Sequence, residues 1–223
     1  MAEFQSVVQE VMFWAEGLTA VISLLYYNRI KNQYWKYFVY YLVFIFIAEG
    51  IGKWGLNFID FNKSGFYNYL VIPVQFIFFY WLYAAKSFNK PKLFIGLSLI
   101  YLLSFIPTEL FFPSAHKIML SLNYTLGCLL LMILVIMEYN KQINSSNILD
   151  FNKNRMFYIN LGVTLFYIGT LPFWTFFELL QFYRKISDIY KEIYDIYYSG
   201  FLVSIIVMNT LFSISFIWGK QNS

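Results

Sequence analysis

Seven mostly apolar stretches of about 20 residues each follow one another along this chain, joined by short polar links. They run over about 7–27, 34–54, 67–86, 92–111, 115–138, 156–181 and 196–218. A bilayer has a hydrocarbon core about 30 Å thick, and a helix rises about 1.5 Å per residue, so segments of this length cross it. Inside hydrocarbon every backbone N–H and C=O must be bonded within the protein, which makes a helix of each such segment. The fold expected is therefore all-α: an integral membrane bundle of seven transmembrane helices, in a single domain over 1–223. Composition agrees. The chain is 60% hydrophobic and 13% charged, whereas a soluble domain carries about 25% charged residues.

The longest polar stretch, 138–155 (EYNKQINSSNILDFNKNR), is too short to fold alone. Because the links are short, successive helices are expected to lie antiparallel as neighbours. Ten of the sixteen Lys and Arg fall on the side that holds the links near 29–36, 86–92 and 141–155 and the C-terminus; six fall on the other. The opening residues hold Glu3 and Glu10 and no base, so the first apolar segment reads as a retained helix, not a cleaved leader. The bias places the N-terminus outside and the C-terminus inside the cytoplasmic (inner) membrane. Tyr26, Tyr27, Tyr34, Trp35, Tyr80, Trp81 and Tyr83 suit the inner interface as aromatic anchors.

Ionisable groups inside membrane helices are costly, so each is a candidate site. Glu16 lies within the first span (FWAEGLTAV). Glu49 lies near the end of the second (IAEGIGKW), Glu109 near the end of the fourth (IPTELFF), and Glu178 in the sixth (FWTFFELLQF). In the alternating layout all four fall in the outer half, together with Lys53, His116 and Asn123. The inner half is nearly uncharged, as in LLLMILVIM. This one-sided polarity predicts an outward-facing polar cavity formed by Glu16, Glu49, Lys53, Glu109, His116, Asn123 and Glu178. The same residues also allow plainer roles. Glu49 and Lys53 are one helical turn apart and can pair, Glu109, His116 and Lys117 can sit at an interface beside a short link, and Glu178 can pair with Arg184 or Lys185.

Other chemistry is disfavoured by what the sequence contains. One histidine cannot build a multi-histidine zinc site. Cys128 sits in an apolar run and reads as an inert buried thiol. The stretch 201–216 (FLVSIIVMNTLFSISF) in the middle of the seventh span has no lysine to hold retinal. Neither HExxH nor GxSxG occurs, and the glycines at Gly50 and Gly52 lack the context of a phosphate loop. No cofactor and no catalytic residue is expected. The net charge of +4 reads as membrane anchoring, not nucleic-acid binding. Between the last two spans, Phe182, Ile186, Ile189, Tyr190, Ile193 and Ile196 recur at helical spacing opposite charged residues. That pattern fits a helix on the interface, an extension of a neighbouring span, or a lid over the cavity. Pro73 and Pro172 stand in loosely similar settings in the third and sixth spans.

The run YINLGVTLFYIGTLPFW (Tyr158 to Trp174), following a polar link, resembles a stretch found in uncharacterised small seven-helix membrane proteins of Bacteroidota. The length and the aromatic, Asn- and Lys-rich composition are similar too. Such proteins often accompany sensor histidine kinases, so the resemblance implies a sensory or accessory role. It transfers no ligand and no functional residue. The function expected is a non-catalytic, receptor-like sensor or accessory subunit that binds a small ligand, lipid or partner helix in the outward cavity. Its expected partners are membrane lipid and a membrane or cytoplasmic protein. A proton-coupled transporter or channel, or a structural subunit of an envelope complex, is the alternative.

Overall fold

The computed structural model describes residues 2–55, 62–111, 121–145 and 153–219. Among them the chain is helical, with no strand. Seven helices are long and apolar enough to cross a membrane: α1 (Glu3–Leu25), α2 (Lys36–Trp54), α3 (Lys63–Ser87), α4 (Pro91–Leu110), α5 (Ser121–Ile143), α6 (Arg155–Thr175) and α7 (Asp188–Ile217). Shorter helices lie at Tyr27–Ile30 and Phe177–Tyr183.

Local chemistry sets the ends. Asn62 caps α3, its Oδ1 accepting from the Gly65 N–H at 3.0 Å. Asn154 caps α6 in the same way through the Met156 N–H at 2.9 Å. Both supply an acceptor to a first-turn N–H that has no intrahelical partner. At the end of α3, Asn89 turns left-handed (φ 55°), a conformation asparagine tolerates better than most residues. The Lys90 N–H then returns to the Ala84 carbonyl at 2.7 Å, and Pro91 opens α4 where its missing N–H costs nothing.

The two prolines share a backbone device. A π-helical turn, Tyr67–Val71, precedes Pro73, and another, Thr164–Ile168, precedes Pro172. Ile72 N–H reaches back five residues to Tyr67 O, and Gly169 N–H to Thr164 O. A proline ring collides with the carbonyl one turn behind it, and a widened turn there relieves the collision.

The sixth helix ends at Thr175, short of the expected 181, and a separate turn of helix covers Phe177–Tyr183. Most of the amphipathic segment belongs to the start of α7, which begins at Asp188, not near 196. Its 30 residues span about 45 Å, half as long again as a hydrocarbon core. Asp188 stands in its first turn, where a carboxylate complements the helix dipole. α5 runs on to Ile143, beyond the expected 138.

The chain forms two compact units. The first is Met1–Ile51, Val135–Thr170 and Ser199–Ser223; the second is Gly52–Leu134 and Leu171–Tyr198. In the first, Phe38 packs its ring on Phe212 and Phe216, at 5.1 and 5.6 Å between centroids. α1 and α7 are joined there by the Thr19 hydroxyl, 2.8 Å from Ala15 O, 3.0 Å from Asn209 O and 3.0 Å from Ser213 Oγ. In the second, Phe76, Tyr80, Tyr101 and Tyr124 form an aromatic core around buried Cys128. Tyr80 donates to Gly127 O at 2.8 Å. A Cβ on Gly127 would stand 2.7 Å from the Phe76 ring, so only glycine lets α5 approach this closely. Gly127→Val is expected to destabilise this unit by about 1–3 kcal/mol through overpacking, read as a lower melting midpoint in mild detergent.

In both units the helix faces turned away from the interior are also apolar. Trp14, Leu18 and Leu25 on α1 are exposed, as are Ile95, Leu99 and Leu103 on α4 and Ile133 and Ile136 on α5. Patches of this extent are rare on proteins surrounded by water.

Candidate functional site

Glu16 is the most constrained of the sequence-derived candidates. It lies on the inward face of α1 between Phe13 and Ala20, one turn away on either side, and is 6% exposed. Its Oε2 has no hydrogen-bond partner. Two groups on α2 are close enough to act on it electrostatically: the half-buried Glu49 and the Tyr41 hydroxyl. Tyr41 is hydrogen-bonded to Tyr167 on α6. A buried carboxylate without full hydrogen bonding is costly. In the first unit the Glu16 carboxylate is thus within electrostatic reach of Glu49 and Tyr41, and Tyr41 is linked to Tyr167.

Asn123, Glu109 and Lys53 are engaged differently, in the second unit. Asn123 is 2% exposed and its amide is used for packing. Its Oδ1 accepts from Thr108 Oγ1 at 2.9 Å, and its Nδ2 donates to Ser104 Oγ at 2.8 Å, tying α5 to α4. Glu109 accepts a hydrogen bond from the Tyr69 hydroxyl, joining α4 to α3. Lys53 places its ammonium over the Trp54 ring, 5.4 Å from the centroid. Glu178 stands in the helix Phe177–Tyr183, and its side chain lies outside what is described. His116 lies outside the described residues. Of the seven, Glu16 and Glu49 are brought together.

A second polar cluster was not among the sequence candidates. It lies in the first unit, where the link into α2, the end of α5, the start of α6 and the end of α7 meet. Arg155 is 5% exposed and caps α7. Its Nε donates to Ser215 O and its Nη2 to Gly219 O, both at 3.1 Å. These carbonyls lie at a helix C-terminus, where they lack intrahelical donors and favour a cation. The guanidinium also lies against Trp35 and Phe216, 5.1 and 5.5 Å from the ring centroids. Gly219 fits flush against it, since a Cβ there would stand 2.7 Å from Arg155 Cα. Glu138 is 2% exposed and accepts from Gln142 Nε2 at 2.9 Å. Tyr34 lies within electrostatic reach of both charges. Burial and the Glu138 carboxylate push its hydroxyl up to about 12, with Arg155 pulling the other way. It therefore remains a neutral donor through the physiological range. One signal for this cluster was present in the sequence: Glu138 and Arg155 bracket the longest polar link, at the mouths of two spans.

Among the described residues no three His, Cys, Asp or Glu side chains group as metal ligands. No family model, curated protein or solved structure matches this chain.

Proposed function

We propose that the chain is a multi-pass protein of a bacterial cytoplasmic membrane, N-terminus outside and C-terminus inside, that acts as a non-catalytic sensor or accessory subunit. Its site would be the Glu16–Glu49 pair, taking a small ligand, a lipid headgroup or a polar group of a partner helix. Seven apolar spans, with apolar side chains both inside and outside the units, support the membrane setting. The observation that carries the site is Glu16: a carboxylate 6% exposed, within a span, with one oxygen lacking any partner. Intramembrane carboxylates of this kind usually serve binding or proton transfer. A ligand that pairs with Glu16 in one helix arrangement better than in another shifts the population between them, which is enough to signal to a neighbouring chain.

The test is what the gently solubilised protein retains. Native mass spectrometry is expected to find a small molecule, lipid or second chain on the wild type that is lost from Glu16→Gln and Glu49→Gln. Identical bound masses in all three would contradict a binding role for the pair.

The alternative reading, a proton-coupled transporter or channel, gains from one specific observation. Besides Glu16, the first unit buries Glu138, Arg155, Asn160 and Asn209.

A further inference from the structure

Positive charge collects in the first unit where α1 passes into α2. Between Glu16 and Glu49 the chain has no acidic residue, and its bases there, Arg29, Lys31 and Lys36, all fall in or beside this link. Two buried side chains fix the link in place. Ile30 and Trp35 are each 2% exposed, and the Gln33 N–H returns to the Ile30 carbonyl at 2.8 Å. With those two turned inward, Arg29, Lys31, Tyr37 and Tyr40 are exposed, and Tyr26, Tyr27 and Lys36 half-buried. Contacts join four of them into one face. The Lys36 ammonium lies 5.2 Å from the Tyr37 ring centroid. Tyr37 meets Tyr40 edge to face, 6.1 Å between centroids. Tyr40 and Tyr27 bring their hydroxyls within 2.7 Å of each other. Arg29, in the same link, lies over Tyr26, 4.9 Å from its centroid. Among the described residues Arg29 and Lys36 contact rings and no carboxylate. Glu138, whose charge reaches Tyr34 in this link, is itself buried.

We propose that the face formed by Tyr27, Lys36, Tyr37 and Tyr40 docks the phosphate of an anionic phospholipid headgroup. The inference rests on the membrane-spanning reading above and is separate from the Glu16 site. Place and chemistry both point to this occupant. The link joins two apolar spans that end at Leu25 and begin at Lys36, so it lies at the level of the headgroups. An ammonium held over a ring keeps its N–H donors. Two hydroxyls in mutual hydrogen bonding use one proton between them and leave the other to donate outward. A cation and a hydroxyl proton on one exposed face suit phosphate oxygens, which accept short charge-assisted hydrogen bonds. Arg29 and Lys31 add positive potential to the link. A headgroup with net negative charge gains from that potential, whereas a zwitterionic one carries a cation that the same bases repel.

The test is lipid competition in mild detergent. Full-length protein is mixed with equal amounts of phosphatidylglycerol and phosphatidylcholine of the same acyl chains, and the retained lipid is measured by native mass spectrometry. Wild type is expected to retain phosphatidylglycerol by about fivefold or more over phosphatidylcholine, since one basic residue near anionic headgroups is worth about fivefold in association. Arg29→Gln combined with Lys36→Gln should bring the two lipids close to parity. Tyr40→Phe keeps the ring contacts and should lower the preference by about two- to threefold. Glu16→Gln should leave it unchanged. The melting midpoint checks the fold of every variant, and the exposed Tyr40→Phe and Lys31→Gln carry the test if the double variant loses its transition. Equal retention of both lipids by the wild type would overturn the proposal and leave the Glu16 reading standing. A preference undiminished in the link variants would overturn it too. A preference lost in Glu16→Gln alone would move the lipid to the Glu16 site and overturn the docking face.

Discussion

Replacing Arg155 by alanine is expected to cost the protein about 3–5 kcal/mol, enough to unfold many membrane proteins of ordinary stability. The side chain is 5% exposed and does three things at once. It satisfies two carbonyls at the end of α7, through Ser215 and Gly219. It places a cation at the negative end of that helix. It also fills the space between Trp35 and Phe216, with cation–π attraction to both rings. Alanine leaves the carbonyls buried without donors and opens a void between the rings. Arg155→Lys keeps the charge but loses the planar fork and the stacking, so it should recover less than half of the loss. The measurement is the melting midpoint in mild detergent, followed by size-exclusion recovery after heating. Unchanged midpoints in both variants would show that the end of α7 is held by other contacts.

Glu16→Leu is expected to have the opposite effect on stability. The wild-type carboxylate is buried, with one oxygen unpartnered and a second carboxylate acting on it. Leucine of similar length removes that desolvation cost and adds apolar burial, so the variant should be more stable by about 1–3 kcal/mol while losing whatever binding or proton transfer Glu16 performs. Gain of stability with loss of activity is the mark of a residue retained for function. The check is paired: the detergent melting midpoint against the bound mass or proton flux. A lower midpoint in Glu16→Leu would make Glu16 a structural residue and remove the site.

The spans were legible because the bilayer imposes a length on apolar runs, and no local detail can change that constraint. Their ends were less so. The break at Phe176 between α6 and the next helix has no glycine or proline to announce it, and Phe177–Tyr183 is still mostly apolar. The helical spacing over 182–196 suits an interfacial helix, a lid or an extension of a neighbouring span alike, and 188–195 continues α7 without interruption. Hydrogen-bond offsets such as the π-helical turns before Pro73 and Pro172 depend on one extra residue per turn, and only the prolines hinted at them.

For the site, depth in the sequence pointed to Glu16 and Glu49, since a carboxylate amid apolar residues is unusual wherever the helix turns it. Composition could not separate a polar residue that serves packing from one that is left over. Asn123 has the same depth as Glu16, but Thr108 and Ser104 occupy its amide. Arg155 and Glu138 escaped notice for the opposite reason. At the ends of spans, charged residues are expected in water, and only the fold reveals that these two are buried.

A chain that threads a membrane many times in this alternating layout has its N-terminus and the link after α5 on opposite sides. In a Cys128→Ser background, single cysteines at Ser6 and Ser145 can be labelled in intact cells with a membrane-impermeant maleimide. Labelling of Ser6→Cys from outside, and of Ser145→Cys only after permeabilisation, is the expected result. Labelling of both positions from outside, or release of the chain from membranes by alkaline carbonate, would contradict it.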